Sequence, residues 1–141
     1  VFVGVKAPVH EALIKVQRQV FEHMMGWLKP GVTVRELAEQ AHEVGIKAAP
    51  KSGLAAGAKC KLTMHGRGAG DDGPIITDHA RDPEQLAVAL QNNMVFIFKP
   101  SVEVGEGANK SICTWGDTIV VTPNGGKRLG KRPHDLAVAK G

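Results

Sequence analysis

The sequence contains no tyrosine, few other aromatic residues and no long apolar segment. Aromatic residues make up 4% of the 141 residues, and no unbroken apolar run is longer than Met94–Phe98. A membrane-spanning helix needs about 20 apolar residues, so we expect no transmembrane segment and no membrane partner. No secretory hydrophobic region follows the N-terminus, so export is not expected. The remaining composition, 43% hydrophobic and 23% charged, is typical of a folded domain.

Cysteine is also scarce, since the chain has only Cys60 and Cys113. The two residues do not form a C-x-x-C pair, and neither has metal-site spacing to another Cys or His. Thiols in a chain that is not exported usually stay reduced. We therefore expect a cytoplasmic protein without a disulfide.

The net charge of +4 comes from the end of the chain. After Asn124, five basic residues face one acidic residue, Asp135; the basic residues are Lys127, Arg128, Lys131, Arg132 and Lys140. A nucleic-acid-binding face spreads its basic residues and interleaves aromatic ones, which this segment does not. The favoured interpretation is a single domain over residues 1–125 followed by a solvated basic tail over 126–141, with no nucleic-acid partner.

Two helices are predicted in the first third of the chain. Pro8 suits a first helical turn, and apolar residues recur from Leu13 to Trp27 at three- and four-residue steps. Thr33 and Glu36 form a capping-box pattern at the start of a second helix, for which Gly45 is the predicted stop. Residues 47–60, rich in Ala, Gly, Lys and Ser, are interpreted as a loop or mobile link.

The second half of the chain has the alternation and composition of strands. Strands are predicted at Leu62–Met64, Asn93–Phe98 and Thr118–Thr122, with the end of another at Val1–Val5. A helical turn is predicted at Pro83–Leu90. Helices followed by strands indicate an α+β fold, with the helices packed on one face of a mostly antiparallel sheet.

The glycine-rich stretch from Met64 to Pro74 contains the most informative residues. A phosphate-binding loop is disfavoured because Pro74 leads into Ile75 and Ile76 rather than into a helix start or a P-loop lysine. The alternative is that His65 ends a strand, where its glycine neighbours let a substrate or metal approach.

Four segments in sequence order resemble the pita-bread metallopeptidase family, which includes methionine aminopeptidase, Xaa-Pro aminopeptidases and dipeptidases, and creatinase. Leu28–Leu37 is similar to the K/R-P-G-x-T element, and His65–Gly68 to the H-G-x-G segment. Asn93–Pro100 is similar to the M-V-F-x-x-E-P strand, and Gly116–Thr122 to the E-D/H-T-V-x-V-T strand. The resemblance implies the C-terminal half of the pita-bread catalytic domain.

The resemblance also implies which residues occupy the family's metal positions. Members usually hold two divalent ions with two Asp, one His and two Glu; the two Asp belong to the first half of the domain. The His corresponds to His65, whereas the two Glu positions are Lys99 and Gly116. The family's substrate-binding His corresponds to Asp72, and Arg67 lies in the same segment.

Hard divalent ions at hydrolytic sites need several carboxylate ligands, so one His cannot hold two metals. We expect Gly116 to remove a ligand without filling its space, and we expect no cofactor in this chain alone. Manganese, cobalt or zinc is expected only if the missing half completes the site or nearby acidic residues rebuild it. For those acidic residues, loop capping and structural roles are favoured; they are Asp71, Asp72, Asp78, Glu103, Glu106 and Asp117.

Lys99 could replace the charge of a metal, holding an anionic group or polarising a carbonyl while His65 acts as general acid or base. Asp72 and Arg67 would then contact the substrate. Equally weighted is an ion pair between Lys99 and an Asp in a disused site.

The first hypothesis is a divergent proline-peptidase-like hydrolase of a peptide or amide C–N bond; the second is a non-catalytic domain that binds a small ligand or a protein. Half of such a domain leaves an apolar face uncovered, so we expect a homodimer or the N-terminal half of a longer chain as partner.

Overall fold

The computed structural model describes residues 2–3, 7–54, 57–67, 71–76 and 82–139. Its helices are α1 Pro8–Met25, α2 Val34–Ala48 and the short α3 Pro83–Leu86. Its strands are β1 Phe2–Val3, β2 Lys59–Arg67, β3 Asp71–Ile76, β4 Val95–Val104, β5 Ser111–Thr114, β6 Asp117–Thr122, β7 Gly125–Arg128 and β8 Val138–Ala139. Single 3₁₀ turns occur at Pro50–Ser52 and Gly107–Asn109.

Local sequence signals determine where α1 and α2 begin. Pro8 occupies the first turn of α1, where its missing N–H costs no hydrogen bond. The predicted capping box precedes α2: the Thr33 hydroxyl accepts from the Glu36 amide at 3.2 Å, and the Glu36 carboxylate accepts from the Thr33 amide at 2.7 Å. Both helices bury an apolar stripe against the sheet.

The main sheet has six antiparallel strands in the order β3-β2-β4-β6-β7, with β5 also paired to β4. A separate parallel pair joins β1 to β8. Both long helices contact the same sheet, α1 through β4 and β5 and α2 through β2. The predicted α+β class, with helices on one face of a mostly antiparallel sheet, is confirmed.

Strand β4 changes its neighbour halfway along its length. Val95–Phe98 pairs with β6, whereas Ser101–Val104 pairs with β5. Lys99 and Pro100 lie between these two ladders. Proline cannot donate to a ladder, so this gap is a position where a long strand tolerates Pro100.

The core lies between the helices and one face of the sheet. Alternate residues of β2 and β4 point into it, among them Leu62, Met64, Phe96 and Phe98, each at most 1% exposed. The Phe21 ring of α1 meets the Phe98 ring edge-on at 5.7 Å. Because the side-chain period of a strand is two, His65 and Lys99 must lie on the opposite face.

The prediction that Gly45 stops α2 is wrong, because the helix continues to Ala48. A Cβ at Gly45 would lie 2.3 Å from the Cβ of Cys60, so this glycine permits α2 to pack closely on β2. The interpretation of 47–60 as a loop is wrong at both ends, which belong to α2 and β2. Residues 55 and 56 lie outside the described residues.

Other boundaries also differ from the predictions. Asp72-Gly73-Pro74 lies in strand β3 rather than in a turn, because residues 71–76 pair with β2. The helical turn from Pro83 ends at Leu86 instead of Leu90. Strand β5 was not predicted, and β7 draws residues 125–128 of the basic segment into the sheet.

Within the described part of the chain, no helix combines the length and apolarity needed to cross a membrane. Both cysteines are free and buried. Burial raises the pKa of Cys60 to about 12 and that of Cys113 to about 11. Both thiols are therefore protonated and unreactive at neutral pH.

Gly45→Ala tests the close approach of α2 to β2. Overpacking costs about 1–3 kcal/mol, and the 2.3 Å approach to Cys60 favours the upper end. Alanine regains roughly 1 kcal/mol in helix propensity, so we expect a net loss of about 1–2 kcal/mol in the free energy of unfolding. Chemical denaturation measures this loss. Glu39→Ala, at an exposed position of α2, is the control and should change stability by less than about 0.5 kcal/mol; a stabilised Gly45→Ala would contradict the packing argument.

Candidate functional site

The candidate site lies on the face of the main sheet that points away from α1 and α2, which we call the open face. Strands β2 and β4 place Thr63 opposite Lys99 and His65 opposite Ile97 on this face. All four residues are half-buried. His65 and Lys99 are therefore diagonal neighbours on adjacent strands, a relation within reach of long side chains.

His65 and Lys99, predicted separately from two motifs, are in contact. The Lys99 Nζ lies 3.4 Å from the His65 Nε2. The His65 Nδ1 lies 3.1 Å from the Gly66 carbonyl oxygen. A carbonyl oxygen accepts from a protonated Nδ1, and the tautomer with its proton there has a lone pair on Nε2 that can accept from the ammonium. Lys99 thus places its ammonium beside the imidazole on the open face.

Gly116 completes this arrangement from the connection between β5 and β6. A Cβ at this position would lie 2.3 Å from the Lys99 Cγ and 2.5 Å from the Phe98 carbonyl oxygen. The expectation that glycine leaves its side-chain space unfilled is therefore wrong, because the aliphatic stem of Lys99 occupies it. The two positions that correspond to glutamates in the resemblance are in direct contact here.

Lys99 differs from the other lysines around it. Lys61 and Lys110 both pair with Glu103, at 3.3 and 2.7 Å, and Lys59 pairs with Glu106 at 3.8 Å. Among the described residues, no carboxylate lies within the 4.0 Å ion-pair distance of Lys99. The alternative in which an Asp neutralises Lys99 is therefore not found in this part of the chain.

Glu103 is the buried acidic group of the same face. Its side chain is 8% exposed. Hydrogen bonds from Lys110 and Lys61 hold its pKa below the ordinary value, against the opposing effect of burial. Glu103 is therefore ionised at neutral pH, and Lys61 and Lys110 share its single negative charge.

The two residues predicted to contact the substrate lie on neighbouring strands. Asp72 pairs with Gly66, and Arg67 pairs with Asp71, so their backbones are close to that of His65. The side chains of Arg67, Asp71 and Asp72 lie outside the described residues, as do Asp78 and His79. Their assignment as substrate contacts stays a prediction.

Asp117 has the structural role that was favoured for it. Its carboxylate accepts from the Arg128 guanidinium and, at 2.7 Å, from the Thr118 amide. No cluster of three or more His, Cys, Asp or Glu side chains suited to a metal ion occurs in the described ranges.

Gln17 holds the backbone around the site through hydrogen bonds. It was not among the predicted site residues. This fully buried residue of α1 donates through Nε2 to the Pro100 carbonyl at 2.9 Å and to the Trp115 carbonyl at 2.7 Å. These carbonyls belong to the residues next to Lys99 and Gly116. The signal was available, because Gln17 is a polar residue within the apolar stripe of α1.

The Trp115 ring is enclosed by the C-terminal segment. The His134 ring stacks on it at 3.9 Å, and the guanidinium groups of Arg128 and Arg132 lie 4.7 and 5.0 Å from its centroid. The His134 Nε2 also contacts the Gln17 Oε1. Since Gln17 uses its Nε2 to donate, its Oε1 is the acceptor and His134 carries a proton on Nε2.

Burial, with the positive charges of Arg18, Arg128 and Arg132, lowers the pKa of His134 to about 4, and Asp135 opposes this effect only weakly. His134 is therefore neutral in the folded protein at physiological pH. A cavity of about 400 Å³ adjoins Trp115 beside β5 and the C-terminal segment. It is lined by neither His65 nor Lys99, so it is separate from the candidate site.

Comparisons with known proteins agree with this architecture. The model of metallopeptidase family M24 matches residues 1–123. The dipeptidase PepE from Mycobacterium ulcerans is 22% identical with a TM-score of 0.70, covering 98% of this chain and 34% of its own. The X-Pro aminopeptidase from Thermotoga maritima is 20% identical with a TM-score of 0.72, covering 97% and 35%. The methionine aminopeptidase from Rickettsia prowazekii is 19% identical with a TM-score of 0.63, covering 89% and 54%.

These structures share the fold with the chain, which spans about a third of the first two and about half of the third. The predicted likeness to the pita-bread fold is confirmed. The assignment of the chain to the C-terminal half of that domain stays a prediction. No curated protein matches the sequence.

Gln17→Leu tests the role of the buried amide. The substitution removes the donor shared by the carbonyls of Pro100 and Trp115, and an unsatisfied buried polar group costs about 1–3 kcal/mol. We expect a loss of about 2 kcal/mol or more in the free energy of unfolding, measured by urea denaturation. Gln19→Leu, at an exposed position of the same helix, is the matched control and should be nearly neutral. Equal effects of the two substitutions would contradict this role.

His134 gives stability a specific pH dependence. An unfolded His titrates near 6.5, whereas the pKa of folded His134 is about 4. Between these values the unfolded state binds the additional proton, so the free energy of unfolding should fall as the pH drops from about 6.5 to about 4. In denaturation at a series of pH values, His134→Gln should show a shallower slope than the wild type. The exposed His23→Gln should keep the wild-type slope, and an unchanged slope in His134→Gln would contradict the assignment.

Proposed function

The chain belongs to metallopeptidase family M24, and from that premise we propose that it is a divergent, proline-peptidase-like domain that hydrolyses a peptide or amide C–N bond with a fixed cation in place of a dinuclear metal centre. The observation that carries the proposal is the contact between Lys99 and His65 at 3.4 Å, with no described carboxylate paired to Lys99.

The residues present do not fit the metal pair that the family implies. An ammonium lies 3.4 Å from His65, the only matching ligand, and a second ligand position is Gly116, whose side-chain space holds the Lys99 stem. A divalent ion bound to His65 would meet a positive charge at close range, which is repulsive. We therefore assign no step to a metal.

In the proposed reaction, the Lys99 ammonium polarises the scissile carbonyl and stabilises the oxyanion that forms when water attacks its carbon. For this, the ammonium turns from His65 to the substrate oxygen, which frees the lone pair on Nε2. His65 then takes a proton from the attacking water and returns it to the leaving nitrogen as the C–N bond breaks. Asp72 and Arg67 contact the remainder of the substrate.

A second candidate function is non-catalytic binding of a small anionic ligand or of a protein. The same contact supports it, because Lys99 occupies the Nε2 that a general base needs. A further positive charge on His65, 3.4 Å from an ammonium, is electrostatically unfavourable. In this alternative Lys99 holds a carboxylate and no bond is broken.

Lys99→Met tests the role of the charge at nearly constant side-chain length. The wild-type protein, purified with a chelator and verified as metal-free by elemental analysis, is assayed for release of proline from glycyl-proline. We expect hydrolysis that the chelator does not inhibit. In Lys99→Met, kcat/KM should fall by about 10²–10³-fold, the usual cost of removing an oxyanion-stabilising group.

Lys127→Met is the matched control, since Lys127 is exposed on β7 and pairs in register with Val120. It should retain the wild-type kcat/KM. Hydrolysis that requires added manganese, cobalt or zinc and survives in Lys99→Met would overturn the proposal. Binding of glycyl-proline that depends on Lys99 but occurs without turnover would replace it with the second candidate.

The open face also bears on assembly. Val95, Ile97 and Val120 are half-buried apolar residues on this side of the sheet. We propose that a second copy of the chain, or the N-terminal half of a longer chain, covers them around the site. Cytoplasmic location is part of the same proposal, supported by two protonated, unpaired thiols.

A further inference from the structure

We propose that Gly116 is a positioning residue for Lys99. The Lys99 stem occupies the space that a side chain at position 116 would need, so the lysine at 99 depends on the glycine at 116. This inference concerns the placement of the ammonium; its consequence for substrate rests on the proposed function. It follows from the contact between the β5–β6 connection and the middle of β4.

The steric observation is direct. A Cβ built on Gly116 would approach the Lys99 Cγ to 2.3 Å, the Phe98 carbonyl oxygen to 2.5 Å and the Lys99 Cα to 3.0 Å. Carbon atoms in optimal contact lie about 3.5–4.0 Å apart. Any side chain at position 116 must therefore turn the Lys99 stem aside or push the connection away from β4. Turning the Lys99 stem aside takes the ammonium away from His65.

The connection cannot retreat freely, because it is held on both sides of the contact. Gln17 binds the Trp115 carbonyl at 2.7 Å, and Arg132 binds the Gly116 carbonyl at 3.2 Å. The His134 ring stacks on Trp115 at 3.9 Å. With the connection held in this way, an added side chain presses on β4, where the Lys99 stem can turn aside and the Phe98 carbonyl cannot.

The position of the contact explains its tightness. Lys99 lies where β4 has left β6 and has not yet paired with β5. The connection from Trp115 to Gly116 crosses this gap. No ladder of backbone hydrogen bonds joins the connection to β4 here, so no regular interstrand distance separates Gly116 from Lys99. A carboxylate-bearing residue at 116 is incompatible with Lys99 in this backbone, and restoring one glutamate alone would not rebuild a metal site.

Gly116→Ala tests the inference by NMR and by ligand binding. In the wild type the His65 ring is next to the Lys99 ammonium, so its ring current should shift the ε-methylene protons of Lys99; this signal is assigned by its loss in Lys99→Arg. In Gly116→Ala the signal should move to the position of an exposed lysine. The affinity for glycyl-proline should fall at least about tenfold, because the displaced ammonium no longer makes its charged hydrogen bond to the ligand.

Gly126→Ala is the matched control. A Cβ at Gly126 would be crowded by Ile119 at 2.8 Å and by Leu28 at 3.0 Å, so the substitution introduces similar strain without contacting Lys99. It should lower the melting temperature but leave the Lys99 signal and the glycyl-proline affinity unchanged. An unchanged Lys99 signal in Gly116→Ala would overturn the inference. A shifted signal with unchanged affinity would support the inference and contradict the proposed function.

If Gly116→Ala unfolds, the double variant Gly116→Ala/Lys99→Ala decides. Removing the Lys99 Cγ relieves the 2.3 Å contact, so the double variant should melt at a higher temperature than Gly116→Ala alone. A double variant that is no more stable would assign the crowding to the Phe98 carbonyl and overturn the role of Lys99.

Discussion

The arrangement of the open face depends on one buried amide. Gln17 reaches through the core from α1 and binds two carbonyl groups, one in β4 and one in the β5–β6 connection. These groups lie beside Lys99 and Gly116, at the point where β4 changes neighbours and a regular ladder is interrupted. A helix on one side of the sheet thus sets the backbone that presents the cation on the other side.

The electrostatic character of the open face follows from how its charges are paired. Lys61 and Lys110 share the single negative charge of Glu103, whereas Lys99 contacts the ring of His65. Among the described residues the lysines of this face outnumber its carboxylates, and Lys99 has no carboxylate partner. This excess of positive charge suits a carboxylate or a polarised carbonyl better than a divalent cation. The family likeness fixes the fold around this charge, and the side chains in contact with it determine what the site can bind.

Features set by local sequence were predictable, and features set by close packing were not. The start of each long helix could be read from Pro8 and from the Thr33–Glu36 capping box because those signals act within one turn. The roles of Gly45 and Gly116 depend instead on residues from other elements. Cys60 lies against Gly45 and Lys99 lies against Gly116, and neither contact leaves room for a Cβ on the glycine. The family resemblance implied that His65 and Lys99 share a site. Their contact, and the buried polar role of Gln17, required the three-dimensional register.

The partners of Gln17 have a consequence for the order in which the molecule forms. This residue joins Pro100, Trp115 and His134, which are separated from it by most of the chain length. Closing the long loops between such distant segments costs more chain entropy than closing short ones. Contacts of this kind therefore slow folding. The helices and the β2–β4 pairing can assemble earlier from closer contacts. We therefore expect the surroundings of the cation to be completed late in folding, when the C-terminal segment docks on Trp115.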